Sequence, residues 1–166
     1  MKPLLLIDID GPLNPYVALA RAPLPEGYTL HEMRPTGWKE GPPLPVLLSP
    51  VHGDELLALA ARYELVWATT WKDEANEWVG PRIGLPPLPY IDWPAMHAVR
   101  EDGTYWKTRY VVDHADGRPF AWVDDEISDL DRSWVAAHHP GRALLLRVDP
   151  WVGLVREDFE TLAAWA

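Results

Sequence analysis

The chain contains no cysteine among its 166 residues. That excludes disulfides, thiol catalysis and thiolate metal sites together. It agrees with a cytoplasmic setting, where thiols are kept reduced and disulfides are rare. Long apolar runs are also missing. The opening segment from Met1 to Ile7 breaks at Asp8, too short for the core of a secretory leader. No stretch approaches the roughly 18–20 apolar residues of a membrane span. The expectation is a soluble, cytoplasmic protein with no membrane partner. Basic residues are scarce, with 15 Lys and Arg against 25 Asp and Glu and a net charge of −10. An extended nucleic-acid track, which needs many Lys and Arg contacts to phosphates, is therefore not expected. A local pocket for a single phosphate is compatible with this charge, because net charge does not fix the local field.

What is present is enough for a core. Apolar residues make up 48% of the sequence, and a single domain of this length buries roughly two-thirds of its unfolded surface. Prolines number 18, nine of them between Pro12 and Pro50, and there are ten tryptophans. With so many aromatics, the Pro-rich stretch reads as ordered extended loop rather than disorder.

Short apolar runs punctuate the chain. Leu4 to Ile9 reads as a buried strand ending in an Asp-Gly turn. Residues 12–48 show no sustained period and read as an irregular insertion with little helix, of the length that usually serves function or forms a lid. Ser49-Pro50 looks like an N-cap with proline at the first helical position, opening a helix to about Arg62. Glu64 to Thr70 is a second strand. A helix from Asp73 to about Val79 stops at Gly80-Pro81. Leu88 to Ile91 is a short third strand. Trp106 to His114 is helical, Phe120 to Val123 is a fourth strand, and Asp129 to Ala137 is helical. Ala143 to Val148 is a fifth strand, and Glu157 to Trp165 is a closing helix. Five strands alternating with helices imply one α/β domain over residues 1–166, with a mainly parallel five-stranded sheet covered on both faces. In such sheets the ligand site lies beyond the carboxyl ends of the strands. The polar residues stand at those ends: Asp8 and Asp10, Thr69 and Thr70, Asp124 and Asp125.

Their chemistry is coherent. Residues two apart on a strand share a face, so Asp8 and Asp10 would repel unless a cation or proton intervened. Mg2+ takes hard oxygen ligands, often one or two carboxylates plus substrate phosphate. Asp125, with Asp124 beside it, could complete the site, and Asp129, about one helical turn on, could support it. A carboxylate such as Asp8 can serve as a nucleophile forming an aspartyl-phosphate. Asp10 could act as general acid and then general base. The Thr69 hydroxyl and the Lys107 ammonium would hold phosphoryl oxygens. Singly each motif has an ordinary explanation: a turn, a β-former, a solvated lysine. Their order, each at or just before a strand end, makes coincidence a poor account of the set.

These residues resemble the four signature motifs of the haloacid-dehalogenase superfamily. Asp8-Ile9-Asp10-Gly11 looks like the first and Thr69 like the second. Lys107 looks like the third, and Asp124-Asp125 with Asp129 looks like the fourth. The resemblance implies a Rossmann-like three-layer α/β/α core, a Mg2+ cofactor and a phosphatase reaction on a phosphomonoester. It places Asp8, Asp10, Asp124, Asp125 and Asp129 around the metal, and Thr70 and Gly11 beside the substrate. The Asp-Gly-Pro-Leu-Asn-Pro start and the Trp-Ala-Thr-Thr-Trp segment are similar to the phosphatase-like domain associated with Swiss Army Knife RNA repair proteins. That likeness points to a nucleotide or polynucleotide end as the phosphorylated partner, with Trp38 and Trp71 available to stack on a base. Pro12 departs from the motif by removing a backbone N–H after the first glycine, and residues 12–48 stand where a small cap would be. The alternative is a non-catalytic member of the same fold that binds a phosphorylated ligand in a regulatory role.

Overall fold

The computed structural model describes residues 1–166. Four strands form a parallel sheet: β1 (Leu4–Ile7), β4 (Glu64–Trp67), β5 (Phe120–Asp124) and β6 (Ala143–Arg147). Between them in sequence, β2 (Thr29–Met33) and β3 (Leu44–Leu48) form a separate antiparallel pair. The helices are α1 (Pro50–Leu59), α2 (Glu74–Trp78), α3 (Thr108–Ala115), α4 (Asp129–His138) and α5 (Arg156–Trp165).

The parallel sheet runs β4-β1-β5-β6. After β1 the chain crosses to one side to make β4, then returns to the other side of β1 to make β5. The carboxyl ends of β1 and β5 are therefore the point where the winding reverses, and a crevice opens there in such sheets.

Period-two alternation splits the core between the two faces. Leu5, Ile7, Trp67 and Val123 face α1, α2 and α5 through Leu56, Leu59, Ala75, Phe159 and Leu162. Leu4, Leu6, Val66 and Trp122 face α3 and α4 through Val111, Ala115 and Val135. The outcome is three layers, helix on sheet on helix, compatible with a Rossmann-like core. No helix is long and apolar enough to cross a membrane.

Three expectations need correction. The fifth strand expected at Leu88 to Ile91 shrinks to one bridge, Trp67 with Tyr90, held by Trp67 N donating to Pro89 O and Ile91 N donating to Trp67 O. Prolines at 87 and 89 remove the donors a longer ladder needs. The insertion at 12–48 is not irregular throughout: it holds a 3-10 helix (Tyr16–Ala20) and the whole β2–β3 hairpin. β2 escapes a period-two reading because Thr29, Leu30 and Glu32 are all exposed and only its Met33 is buried, while β3 ends in three consecutive buried residues, Val46, Leu47 and Leu48. Ser49 precedes α1 with Pro50 at its first turn, yet its side chain makes no capping hydrogen bond.

The closest helix approach fixes a glycine. A Cβ on Gly53 of α1 would lie 1.6 Å from the carbonyl oxygen of Ile83. Backbone is the obstacle, so no rotamer relieves it. Gly53→Ala is expected to destabilise the fold by about 2–3 kcal/mol, the upper part of the overpacking range. Urea unfolding of the two chains measures this, and equal midpoints would show that α1 and the 80–83 turn separate freely.

Candidate active site

Asp8 is the first residue past β1, Asp124 is the last residue of β5 and Asp125 the first past it. Because β1 and β5 are hydrogen-bonded neighbours in parallel register, their ends coincide. The carboxylates of Asp8, Asp124 and Asp125, all buried, offer oxygens within 4.8 Å of one another.

One cation sits among them. Lys107 immediately precedes α3 and is 1% exposed. Its ammonium lies 3.1 Å from Asp8 Oδ2 and 2.9 Å from Asp124 Oδ2, and it donates to Ala68 O at 3.0 Å. Two of these contacts, to Asp124 and Ala68, are hydrogen bonds, and the one to Asp8 is an ion pair. Burial pulls the Lys107 pKa down, but Asp124 and Asp8 outweigh it and hold the group above its ordinary value. It is a permanent ammonium.

The carboxylates are pushed the other way. Burial lifts Asp8 well above the usual carboxylate range; Lys107 opposes this, and Asp124 and Asp10 add to it. Asp125 is pushed up to about 6 by burial and by Asp124, with the Tyr16 hydroxyl partly opposing. Three carboxylates share one ammonium, a deficit of two positive charges. A divalent cation with a preference for oxygen ligands matches both the charge and the donor type. Asp8, Asp124 and Asp125 could together hold a divalent cation of that kind.

Small local contacts set each carboxylate. Ile9 N donates to Asp8 Oδ1 at 2.9 Å, and Glu126 N donates to Asp124 Oδ1 at 3.0 Å. The Tyr16 hydroxyl donates to Asp125 Oδ2 at 3.1 Å, so the 3-10 helix of the insertion touches the cluster directly. Gly11 makes room for Asp125: at φ +100°, a Cβ there would stand 2.6 Å from Asp125 Cβ and Cγ. A glycine is required both by that approach and by the positive φ.

Asp10 is turned aside. Its Oδ1 accepts from Asn14 Nδ2 at 2.9 Å and its Oδ2 from Trp71 Nε1 at 3.0 Å. Its carboxylate lies outside the three-carboxylate cluster, although it lines the same cavity. Asp8 and Asp10 both line the cavity, but β1 ends at Ile7 and the two Asp10 oxygens are taken up by Asn14 and Trp71. Thr69 is fully buried, its Oγ1 accepting Trp71 N at 3.3 Å, whereas Thr70 lines the cavity.

Asp129 does not reach the site. Its side chain is 98% exposed and pairs with Arg132 at 2.8 Å. The one-turn spacing from Asp125 misleads because α4 begins only at Asp129, so the intervening residues are not helical. The acid that matters on α4 is Asp131, for which the sequence offered only a Ser-x-x-Asp spacing. Fully buried, it accepts from Ser128 N and Oγ, from Tyr105 N and from Thr108 Oγ1. It caps α4 and clamps the segment that carries Lys107.

A cavity of about 560 Å³ opens over the cluster. Asp8, Lys107 and Asp125 lie in its lining, and Trp38, Leu44 and Trp71 form apolar wall. Trp38 belongs to the loop joining β2 to β3. That loop is fastened by Thr36 N donating to Glu74 Oε1 at 2.8 Å, so the insertion overhangs the site rather than leaving it open.

Compared with protein-family models, with curated proteins and with solved structures, the chain matches none.

Proposed function

We propose that this chain is a Mg2+-dependent phosphohydrolase that cleaves a phosphomonoester through an aspartyl-phosphate on Asp8. The observation that carries the reading is the buried set of Asp8, Asp124 and Asp125 around Lys107 at the sheet's switch point. The likeness of its motifs to the haloacid-dehalogenase superfamily supports the same reading.

A bound Mg2+ would supply the charge that lets an anionic carboxylate meet an anionic phosphate. Asp8 Oδ forms the bond to phosphorus as the bond to the leaving oxygen breaks. Asp10 gives that oxygen its proton and afterwards takes one from the water that opens the acyl phosphate, restoring Asp8. Its two neutral donors, Asn14 and Trp71, hold it in place for both steps. Thr70 offers a hydroxyl at the cavity wall, and Thr69 supports the turn behind it. Lys107, which donates to Asp124 and Ala68 and pairs with Asp8, contributes positive charge beside Asp8.

Phosphate release from p-nitrophenyl phosphate, measured with Mg2+ and with the metal removed by chelator, tests the reading. Mg2+-dependent release is expected. No release with any divalent metal would leave the regulatory, ligand-binding alternative.

Metal binding also carries a pH signature. Asp125 holds its proton up to about pH 6, and a ligand carboxyl must lose its proton to bind a cation. Because the raised pKa favours the protonated folded form, the metal-free protein loses stability as pH rises through about 6; Mg2+ offsets that loss. The Mg2+-induced rise in melting temperature should therefore be clear at about pH 7.5 and shrink at about pH 5. A shift independent of pH would place the cation elsewhere.

A further inference from the structure

The cavity walls carry information about the rest of the substrate. Its lining includes five carboxylates, Asp8, Asp10, Asp125, Glu74 and Glu126, and one ammonium, Lys107. That ammonium is already paired with Asp8 and Asp124 and donates to Ala68 O. The nearby cations are tied elsewhere: Arg34 donates to the carbonyls of Lys39 and Gly41, and Lys72 pairs with Asp92 at 2.6 Å. A bound Mg2+ would serve the three buried carboxylates and the reacting phosphoryl group. The one other basic side chain in the lining is His97, packed against the Trp106 ring, and the acidic side chains outnumber it: Glu74 and Glu126 would repel a second negative charge.

The apolar part of the wall is distinct. Trp38 is 45% exposed although it is a large aromatic on a fastened loop. With Leu44, Pro45 and Trp71 it gives the cavity an apolar side that includes two indole rings. Surfaces of this kind take planar rings.

We propose that the substrate is a small phosphomonoester with one phosphate and a planar, uncharged body, the body lying against Trp38. A nucleoside monophosphate or an aryl phosphate has that shape; a polynucleotide end, with a phosphodiester charge beside the monoester, does not. The proposal deepens the phosphohydrolase reading and rests on it.

The test is calorimetric binding of two non-hydrolysable probes of equal size to the Mg2+-loaded protein. They are benzylphosphonates bearing a para-carboxamide or a para-carboxylate. The carboxamide probe is expected to bind about tenfold more tightly, the scale of one unscreened like-charge contact in a partly enclosed site. Glu126→Gln should narrow the gap. Trp38→Ala should weaken the carboxamide probe severalfold while leaving inorganic phosphate affinity unchanged. Equal affinity of the two probes, or tighter binding of the carboxylate, overturns the proposal. So does failure of both to bind, and if p-nitrophenyl phosphate is still hydrolysed the phosphohydrolase reading survives alone. Discrimination between the probes without turnover of any phosphomonoester has the opposite meaning: the ligand class stands and the hydrolytic reading falls.

Discussion

Asp8→Asn is expected to abolish phosphate release, by about 10³-fold or more, while leaving the metal-free fold at least as stable as the parent. Loss of the nucleophile removes the covalent route altogether, so only the weak catalysis of binding and charge is left. The stability half follows from the electrostatics. Asp8 is a buried carboxyl whose pKa is raised chiefly by burial. A raised carboxyl pKa means the folded state binds protons more strongly than the unfolded chain. Its contribution to stability is complete below the unfolded value near 3.8 and is lost as pH rises through the folded value. Once ionised in the folded chain, Asp8 is therefore a cost. Asparagine keeps the shape and can still accept Ile9 N, and Lys107 keeps Asp124 as its partner. Metal-free Asp8→Asn should melt at or above the parent temperature, by up to about 2 kcal/mol of stability. Activity loss with collapse of the fold would instead show that Asp8 is needed for structure.

Lys107→Met should do the opposite, weakening both fold and chemistry. Methionine fills similar volume without charge, leaving Asp8 and Asp124 buried with no ammonium between them. Removing one partner of a buried pair costs about 3–5 kcal/mol, because the remaining charge is uncompensated. That is a large part of the roughly 5–15 kcal/mol that holds a domain together. Phosphate release should fall about 10²- to 10³-fold, as for loss of a preorganised charge at a reacting centre. Lowering the pH toward about 5 should stabilise Lys107→Met, since protonation removes the repulsion. Adding Asp8→Asn to Lys107→Met should restore part of the stability and none of the activity. Equal unfolding midpoints for Lys107→Met and the parent would mean that the carboxylates are far better hydrated than their burial indicates.

The sequence makes some of this visible and hides the rest for physical reasons. Parallel strands buried on both faces read as unbroken apolar runs, and so Leu4–Ile7 and Phe120–Asp124 could be placed together with the acids that end them. Rules about strand ends then bring Asp8 and Asp125 to one place without any knowledge of contacts. Asp10 lines the cavity beside Asp8, but its orientation is set by Trp71, 61 positions away. Nothing local encodes that pairing. The β2–β3 hairpin was hidden because most of its β2 side chains face water, leaving no alternation to detect. Helical spacing counted from Asp125 points to Asp129, but the helix begins only at Asp129. The Asp131 clamp depends on where Tyr105 and Thr108 arrive from an earlier part of the chain.

The central claim is that Asp8 carries the phosphoryl group between substrate and water. The most direct measurement is to quench turnover of an isotopically labelled phosphomonoester with acid and locate the label by peptide mass spectrometry. Label on the peptide containing Asp8, released by hydroxylamine and absent from Asp8→Asn, is the predicted result. Label on another residue, or Mg2+-dependent phosphate release that Asp8→Asn leaves undiminished, would contradict it.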